Sequence, residues 1–516
     1  MKIEGMSIMG MHLSRLVLVV VASHALACSA DIHYVSKTGS NEFPHTSPRT
    51  AARSIQDAVD AAEYGDIVDV APGEYVQQVT LKDGIILWGW GGDATVIRQP
   101  KAAIYAVGGA EDVQIRDLSV AAPAGDPLRP RPFWPPGISL GPHGNQLVID
   151  CALSGKFQAA IQCEGQTPGS PIIIKRTVIE GACQGVLLSH AVCAIDACVV
   201  RDCAIGVRAQ DSELSMARTT LQQSGARLEG SRAKIYNCAF VGRGIGGWAY
   251  DLSLCNSLVC GDYAGISTDY FTTLRVLNCT VTANELGIFV AAWADIWVQN
   301  SIVWGNGPGS SPNGGAGIQI EGGHVTVRYS DVQGPFPTHS DGQPSAVWPG
   351  DGNIAADPLF RDAQNLDFTL TPGSPCIDSC PNFWPCLGGC YGCEFTFTAP
   401  FVDLDGGPRG LYGGGAQRWD SPAIDMGAYE FSLSMIEPAE GGAMTLTWSS
   451  VSGRTYSVYY SDDLLNWHLA QPNVLSEGDW TTSWTDAEGS GTPLPPWQAP
   501  LRFYRAVENV EGSQPW

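Results

Sequence analysis

From Asp150 to Gly317, two columns of small residues recur with nearly the same period. One column is Cys151, Thr177, Cys198, Thr219, Cys238, Ser257, Cys279 and Ser301, at spacings of 26, 21, 21, 19, 19, 22 and 22. The other is the Gly or Ala that opens the next apolar run: Ala160, Gly185, Gly206, Gly225, Gly244, Gly265, Gly287 and Gly317. Its spacings are 25, 21, 19, 19, 21, 22 and 30. The clearest unit is Leu274 to Trp304, where RVLNCTV is followed by NELGIFV and then by DIWVQNSIV. A coil this short cannot bury its own apolar side, so it needs a copy of itself above and below. Two columns keeping step through eight coils exclude an accident of composition. The 60 Gly, 34 Pro and 16% charged residues fit an all-β chain with many tight turns.

A column restricted to Cys, Thr and Ser suits the inside of a narrow coil, where one compact side chain stacks per rung of about 4.8 Å. Just before it stand Asn237, Asn256, Asn278 and Asn300, with Asp150, Arg176, Ala197 and Arg218 in the earlier coils. Asn tolerates the left-handed backbone of a sharp turn, and stacked amides can bond from rung to rung.

Ahead of the counted repeat, SIQDAVDAAEYGDIVDVAPGEY (Ser54 to Tyr75) places Ile55, Ala58, Val59 and Ala62 at helical spacing before a strand. A short helix there would cover the open end of a solenoid. This stretch resembles the N-terminal cap of secreted right-handed parallel β-helix proteins of the pectin-lyase-like kind. Less regular coils follow, interrupted by a Pro-rich loop, Pro127 to Gly137. From Asp357 the text changes to DPLFRDAQNLDFTLTPGSPCID, then VDLDGGPRG and AIDMGAYEF. These segments resemble the closing region of bacterial β-helix proteins called choice-of-anchor Q. The departure from that pattern is a Cys-rich insert, Cys376 to Cys393. Thr445 to Trp467 alternates like strands around a Ser-Gly turn and resembles small β-sandwich modules appended to exported bacterial proteins; Trp448, Trp467 and Trp484 are expected to pack its core. The expected organisation is therefore a signal peptide over 1–27, a capped β-helix over 31–356, a closing region over 357–431 and a β-sandwich over 432–510.

The leader rests on Arg15, the apolar run Leu16 to Ala22 and the small-x-small site Ala25-Leu26-Ala27. Cys28 follows that site directly, which leaves lipid attachment open. No later run is long and apolar enough to span a bilayer. Export to the outside or the cell surface is the expectation. Removing Lys2, Glu4 and Arg15 with the leader takes the formal charge from −23 to −24. A chain this acidic repels nucleic acid and anionic membrane surfaces, so neither is expected as a partner, and it weakens without excluding a polyanionic substrate.

In an exported chain, cysteines favour disulfides over zinc. Column members such as Cys151 and Cys198 lie two rungs, about 9.6 Å, apart and are expected as buried thiols. Cys183 and Cys203 on adjacent rungs are a candidate bridge. The insert residues Cys376, Cys380, Cys386, Cys390 and Cys393 are further candidates, one of them left over or paired elsewhere.

No zinc-binding His pair, nucleophile elbow or phosphate loop is present. Pectin-lyase-like enzymes place their chemistry on the outer face of one sheet, and alternation in each Gly-opened run gives an outward stripe. It reads Gln162 and Glu164; Leu187 and Ser189; Arg208 and Gln210; Arg227 and Glu229; Trp248 and Tyr250; Ser267 and Asp269; Phe289 and Trp293; Gln319 and Glu321. Rings flanked by carboxylates and Arg suit a sugar chain, so Arg208, Arg227, Trp248, Tyr250, Trp293 and Glu321 are expected to bind it. Glu229 and Asp269, two rungs apart, approach the separation used in inverting glycoside hydrolysis. A lyase reading is weaker: the stripe has no Lys and no coil has a tight Asp cluster. His190 and His324 read as turn residues. No cofactor or metal is expected; calcium is compatible with the fold, but no ligand set indicates it. The expected function is a monomeric, exported protein that binds polysaccharide or a cell-surface glycan. The alternatives are a glycan-cleaving enzyme using Glu229 and Asp269, and a structural or adhesive surface protein.

Overall fold

The computed structural model describes residues 30–98, 104–106, 110–122, 135–142, 145–165, 171–291, 293–307, 317–334, 350–371, 373–380, 403–405, 424–430 and, with short interruptions, 434–509. The leader, Cys28, Cys386, Cys390 and Cys393 lie outside the described residues. No described helix is long and apolar enough to cross a membrane.

The chain is all-β: a right-handed parallel β-helix followed by small antiparallel sheets. Each rung contributes one strand to each of three faces. The first face contains Ala159–Glu164, Gln184–Ser189 and Ile205–Gln210. It continues through the leading halves of Ala226–Tyr236 and Ile245–Cys255, then Ala264–Thr268, Leu286–Val290 and Ile318–Ile320. The second includes Val192–Asp196, Glu213–Ala217, the trailing halves of the two long strands, Thr273–Leu277 and Asp295–Gln299. Those two long strands turn the corner unbroken and join the first two faces into one sheet. The third face is a separate stack of twelve short strands, from Gly73–Val76 to Asp331–Val332.

The repeat columns have distinct physical causes. All eight residues before the small column, from Asp150 (φ 53°) to Asn300 (φ 51°), adopt the left-handed conformation. Asn is therefore the comfortable occupant of an obligatory turn, and Arg176, Ala197 and Arg218 bear strain there. Arg176 and Arg218 compensate with ion pairs to Asp150 and Asp196 at 2.7 and 2.6 Å. Of the expected amide ladder the step from Asn256 Nδ2 to Asn237 Oδ1 forms, at 2.7 Å, but it does not continue: Asn278 Nδ2 and Oδ1 and Asn300 Oδ1 are buried with no hydrogen-bond partner among the described residues. A second ladder, Asn284 to Asn306 at 3.0 Å, sits in the turn after the third face.

The small column is a hydrogen-bond staircase as well as a packing solution. Ser257 Oγ accepts the Cys238 N–H at 3.1 Å and donates to the Cys255 carbonyl at 2.8 Å. Ser301 repeats this two rungs on, accepting from the Cys279 N–H and donating to the Gln299 carbonyl. The cysteines in the column are buried, as expected. In the Gly column, a Cβ at Gly225, Gly244 or Gly287 would meet the carbonyl oxygen of the next rung's glycine. Close approach of backbone, not turn conformation, excludes side chains there.

The helix Ile55–Ala61 buries Ile55, Ala58 and Val59 against the first strands and covers the N-terminal end. At the other end, residues 350–356 continue the last turn through an Asp331–Ile354 bridge. The chain then folds back over the outside of the third face. Leu370, Cys376, Ile424 and Met426 cluster with Ile302, while Phe368, Leu404 and Tyr429 cover Leu258 and Cys260. The Ala428 N–H donates to Thr280 Oγ1 at 3.0 Å. This explains why the third-face strands Leu258–Cys260 and Thr280–Thr282 are buried on both sides.

The expected Cys183–Cys203 disulfide does not form. Both are separate thiols, and the Cys203 S–H turns back to its own strand, onto the Arg201 carbonyl. Cys376 and Cys380 also carry thiols, donating to Asp331 Oδ2 at 3.3 Å and to the Tyr329 carbonyl at 3.2 Å. The C-terminal strands form two three-stranded antiparallel sheets around Leu446, Trp448, Tyr456, Val458 and Tyr460. Trp448 is core and Trp484 packs against it, whereas Trp467 lies under the Arg505 guanidinium.

Candidate functional site

On the first face the register places Gln162, Leu187, Arg208, Arg227, Gly246, Ser267, Phe289 and Gln319 in one outward column. The adjoining column is Glu164, Ser189, Gln210, Glu229 and Trp248, then Asp269, whose N–H bonds the Gly247 carbonyl at 3.0 Å. Ala291 and Glu321 continue it, one residue past the Val290–Ile320 pair. Glu229, Trp248 and Asp269 thus occupy three successive rungs, as expected from the sequence.

Two assignments shift. Trp248 pairs with Glu229, not Arg227, so Tyr250 lies further along, where the strand turns toward the second face. Trp293 lies beyond the strand in a turn with φ 65°, and Ala291 takes the stripe position. Trp293 is 71% exposed and stacks on Phe271, with ring centroids 6.5 Å apart and planes 18° apart. Trp248 and Tyr250 form an edge-to-face pair at 5.2 Å.

Glu229 sits at the centre of an ion cluster. Its carboxylate accepts from Arg208 Nη2 at 2.9 Å, Arg227 Nε at 2.7 Å and Gln210 Nε2 at 2.8 Å. Burial opposes its ionisation, but the bonds from Arg227, Arg208 and Gln210 outweigh burial and bring its pKa down to about 2. A carboxyl held this low cannot store a proton for a leaving group at neutral pH. At neutral pH Glu229 is therefore a fixed carboxylate that positions two guanidinium groups, and the trio keeps a net positive charge.

A folded-state pKa below the ordinary 4.5 adds stability that is complete above pH 4.5 and is lost as pH falls toward 2. Allowing for screening at a partly exposed site, the contribution is about 2 kcal/mol. Glu229→Gln is expected to lose it at pH 7 and to show a flatter acid limb. Urea unfolding between pH 2 and 7 checks this; identical slopes for wild type and variant would refute it.

Sequence reasoning missed the empty position beside this cluster. Gly246 occupies the stripe between Arg227 and Ser267, and a Cβ there would press on Ser267 Oγ. Gly247, at φ 109°, lies against the Leu228 carbonyl. The missing side chains open a cleft of about 360 Å³ lined by Arg227, Arg243, Gly246, Asp262, Ser267 and Asp269. Exposed rings stand at both ends of the adjoining strand Ala264–Thr268, with Tyr263 before it and Tyr270 and Phe271 after it. The Gly-Gly and Tyr-Phe dipeptides were the available signals. Glu321 lies two rungs beyond Asp269, away from the cleft lining. His190, at φ 53°, is a turn residue, and His324 opens a second-face strand.

Comparison with solved structures returns distant shapes. A pectate lyase shares 12% identity over 78% of this chain and 96% of its own, with a TM-score of 0.41. The A-module of a mannuronan C-5 epimerase from Azotobacter vinelandii shares 13% over 59% and 94%, at 0.40. A tailspike from the Acinetobacter baumannii bacteriophage Fri1, described as a capsular polysaccharide depolymerase, shares 9% over 89% and 78%, at 0.35. Likenesses this remote carry no information about chemistry. No curated protein matches the chain. Residues 185–332, the rungs that carry the first-face cleft, match the family described as right-handed beta helix region.

Proposed function

We propose that this is an exported protein that binds polysaccharide along its first face, with the Gly246 cleft as the central subsite. The observation that carries the reading is the arrangement around that cleft. Its floor is bare glycine backbone, its lining brings together the side chains of Arg227, Arg243, Asp262, Ser267 and Asp269, and exposed rings stand along the neighbouring rungs. Sugar rings offer apolar C–H faces to aromatic surfaces, and their hydroxyls both donate and accept. Charged groups fixed in advance, as Glu229 fixes Arg208 and Arg227, lose little entropy when a ligand binds. A stack of equivalent rungs also suits a polymer, because successive sugar units can meet successive rungs.

A glycan array probed with the full chain is the test, with Trp248→Ala and Gly246→Val alongside wild type. Trp248 is exposed, so its removal leaves the core intact. Trp248→Ala is expected to weaken binding about tenfold, equivalent to about 1.4 kcal/mol. Gly246→Val is expected to abolish it by filling the cleft. A wild-type protein that binds no glycan, or retention of full affinity by both variants, would reject the proposal.

A further inference from the structure

We infer that the protein carries a second saccharide-binding site, on the second face at its N-terminal end, built around Trp88 and Trp90 and selective for uncharged sugar units. Tyr34, Asp69, Trp88 and Arg116 form one outward column on four successive rungs. Trp88 is 40% exposed and Trp90 62%, so neither ring serves the core. Between them and the outward Ile32 and Ile67 lies a cleft of about 360 Å³, within the size range of ligand clefts, about 300–1,000 Å³.

The loop holding the rings is tied down at every turn. Trp90 Nε1 donates to Asp69 Oδ1 at 2.6 Å, and its backbone N–H donates to Thr95 Oγ1 at 3.1 Å. The Gly89 N–H bonds the Arg116 carbonyl at 2.9 Å, and the Gly91 N–H bonds the Asp117 carbonyl at 2.8 Å. A side chain at Gly89 would strike the Asp117 carbonyl, so the loop depends on that glycine. Exposed rings held this firmly are preorganised for a ligand.

The flanking charges choose the ligand. Arg116 lies over the Trp88 ring at 5.0 Å, and its buried Nε has no hydrogen-bond partner among the described residues. Asp69, one rung to the other side of Trp88, supplies acceptors. Flat apolar rings beside a carboxylate acceptor complement a pyranose, which has C–H faces and hydroxyl edges. Asp69 is the charged side chain among the described residues that line the cleft, and its negative charge favours an uncharged sugar over a uronate. A second copy of the chain is a poor occupant: three exposed apolar side chains fall far short of the roughly 800 Å² per partner that a stable interface uses. This site shares no residue with the first-face cleft and stands on its own contacts.

Isothermal titration of the full chain with cellohexaose, xylohexaose, mannohexaose and chitohexaose tests it, using wild type, Trp88→Ala, Trp90→Ala, Trp88→Phe and Trp248→Ala. At least one probe is expected to bind, with affinity reduced tenfold or more in Trp88→Ala and Trp90→Ala. Trp88→Phe should retain most of the affinity, and the Trp248→Ala titration shows which part of the wild-type signal comes from the first-face cleft. Circular dichroism confirms that each variant is folded. No binding by any probe, or binding that survives both Ala variants, overturns the inference. Loss in Trp248→Ala alone would do the same while upholding the first-face site.

Discussion

Gly244→Ala is expected to destabilise the β-helix by about 3 kcal/mol or more. The added Cβ would meet the carbonyl oxygens of Gly265 and Ala264 on the next rung. Both are backbone atoms within the sheet, so no side chain can swing away to make room. The proper control is Gly65→Ala. Gly65 has φ 94° and open space around its Cβ position, so alanine there suffers backbone strain alone, about 1–2 kcal/mol. Urea unfolding of the two variants separates the causes. Equal losses would mean that close rung stacking is not what keeps the column glycine.

The second large effect is a gain. Asp331 is fully buried where the closing region lies on the third face, accepting the Ala356 N–H at 3.1 Å and the Cys376 thiol at 3.3 Å. Burial raises its pKa from 3.8 to about 6, against the lowering effect of those two bonds. With a raised native pKa, the ionised form is the disfavoured one. The cost is absent below pH 3.8, grows as pH rises through 6, and above that reaches about 3 kcal/mol. Asp331→Asn is expected to remove the cost and to be the more stable protein at pH 7.5, with the difference vanishing near pH 4. Thermal unfolding of both proteins across that range checks the sign. A variant less stable than wild type at pH 7.5 would show that the carboxylate is better satisfied than its burial implies.

The fold was legible because the two columns have strict physical causes. Carbonyl contact excludes Cβ at Gly225, Gly244 and Gly287, and a left-handed turn precedes every Cys, Thr or Ser of the inner column. Such constraints leave a period that survives all other variation. The site was legible only in part, because stripe positions filled by small residues give no signal. Gly246 and Ala291 hold the places to which Trp248 and Trp293 were assigned, so two rings were moved along their strands and the cleft between Arg227 and Ser267 went unseen. The closing region's position had a readable sign that went unused. Leu258-Val259-Cys260 is an unbroken apolar run where one-sided strands would alternate. Glu229 shows the remaining gap: its place in the stripe was legible, but only the positions of Arg208, Arg227 and Gln210 reveal a carboxylate fixed in its charged form.

The central claim is that glycan lies along the first face over the rungs from Arg208 to Phe271. Hydrogen–deuterium exchange of the full chain, with and without the tightest ligand from the array, tests it most directly. Slowed exchange is expected in the strands Ile205–Gln210, Ala226–Tyr236, Ile245–Cys255 and Ala264–Thr268 and in the turn through Phe271. Exchange on the third face, already covered by the closing region, should not change. Protection confined to other faces, or none at saturating ligand, would contradict it.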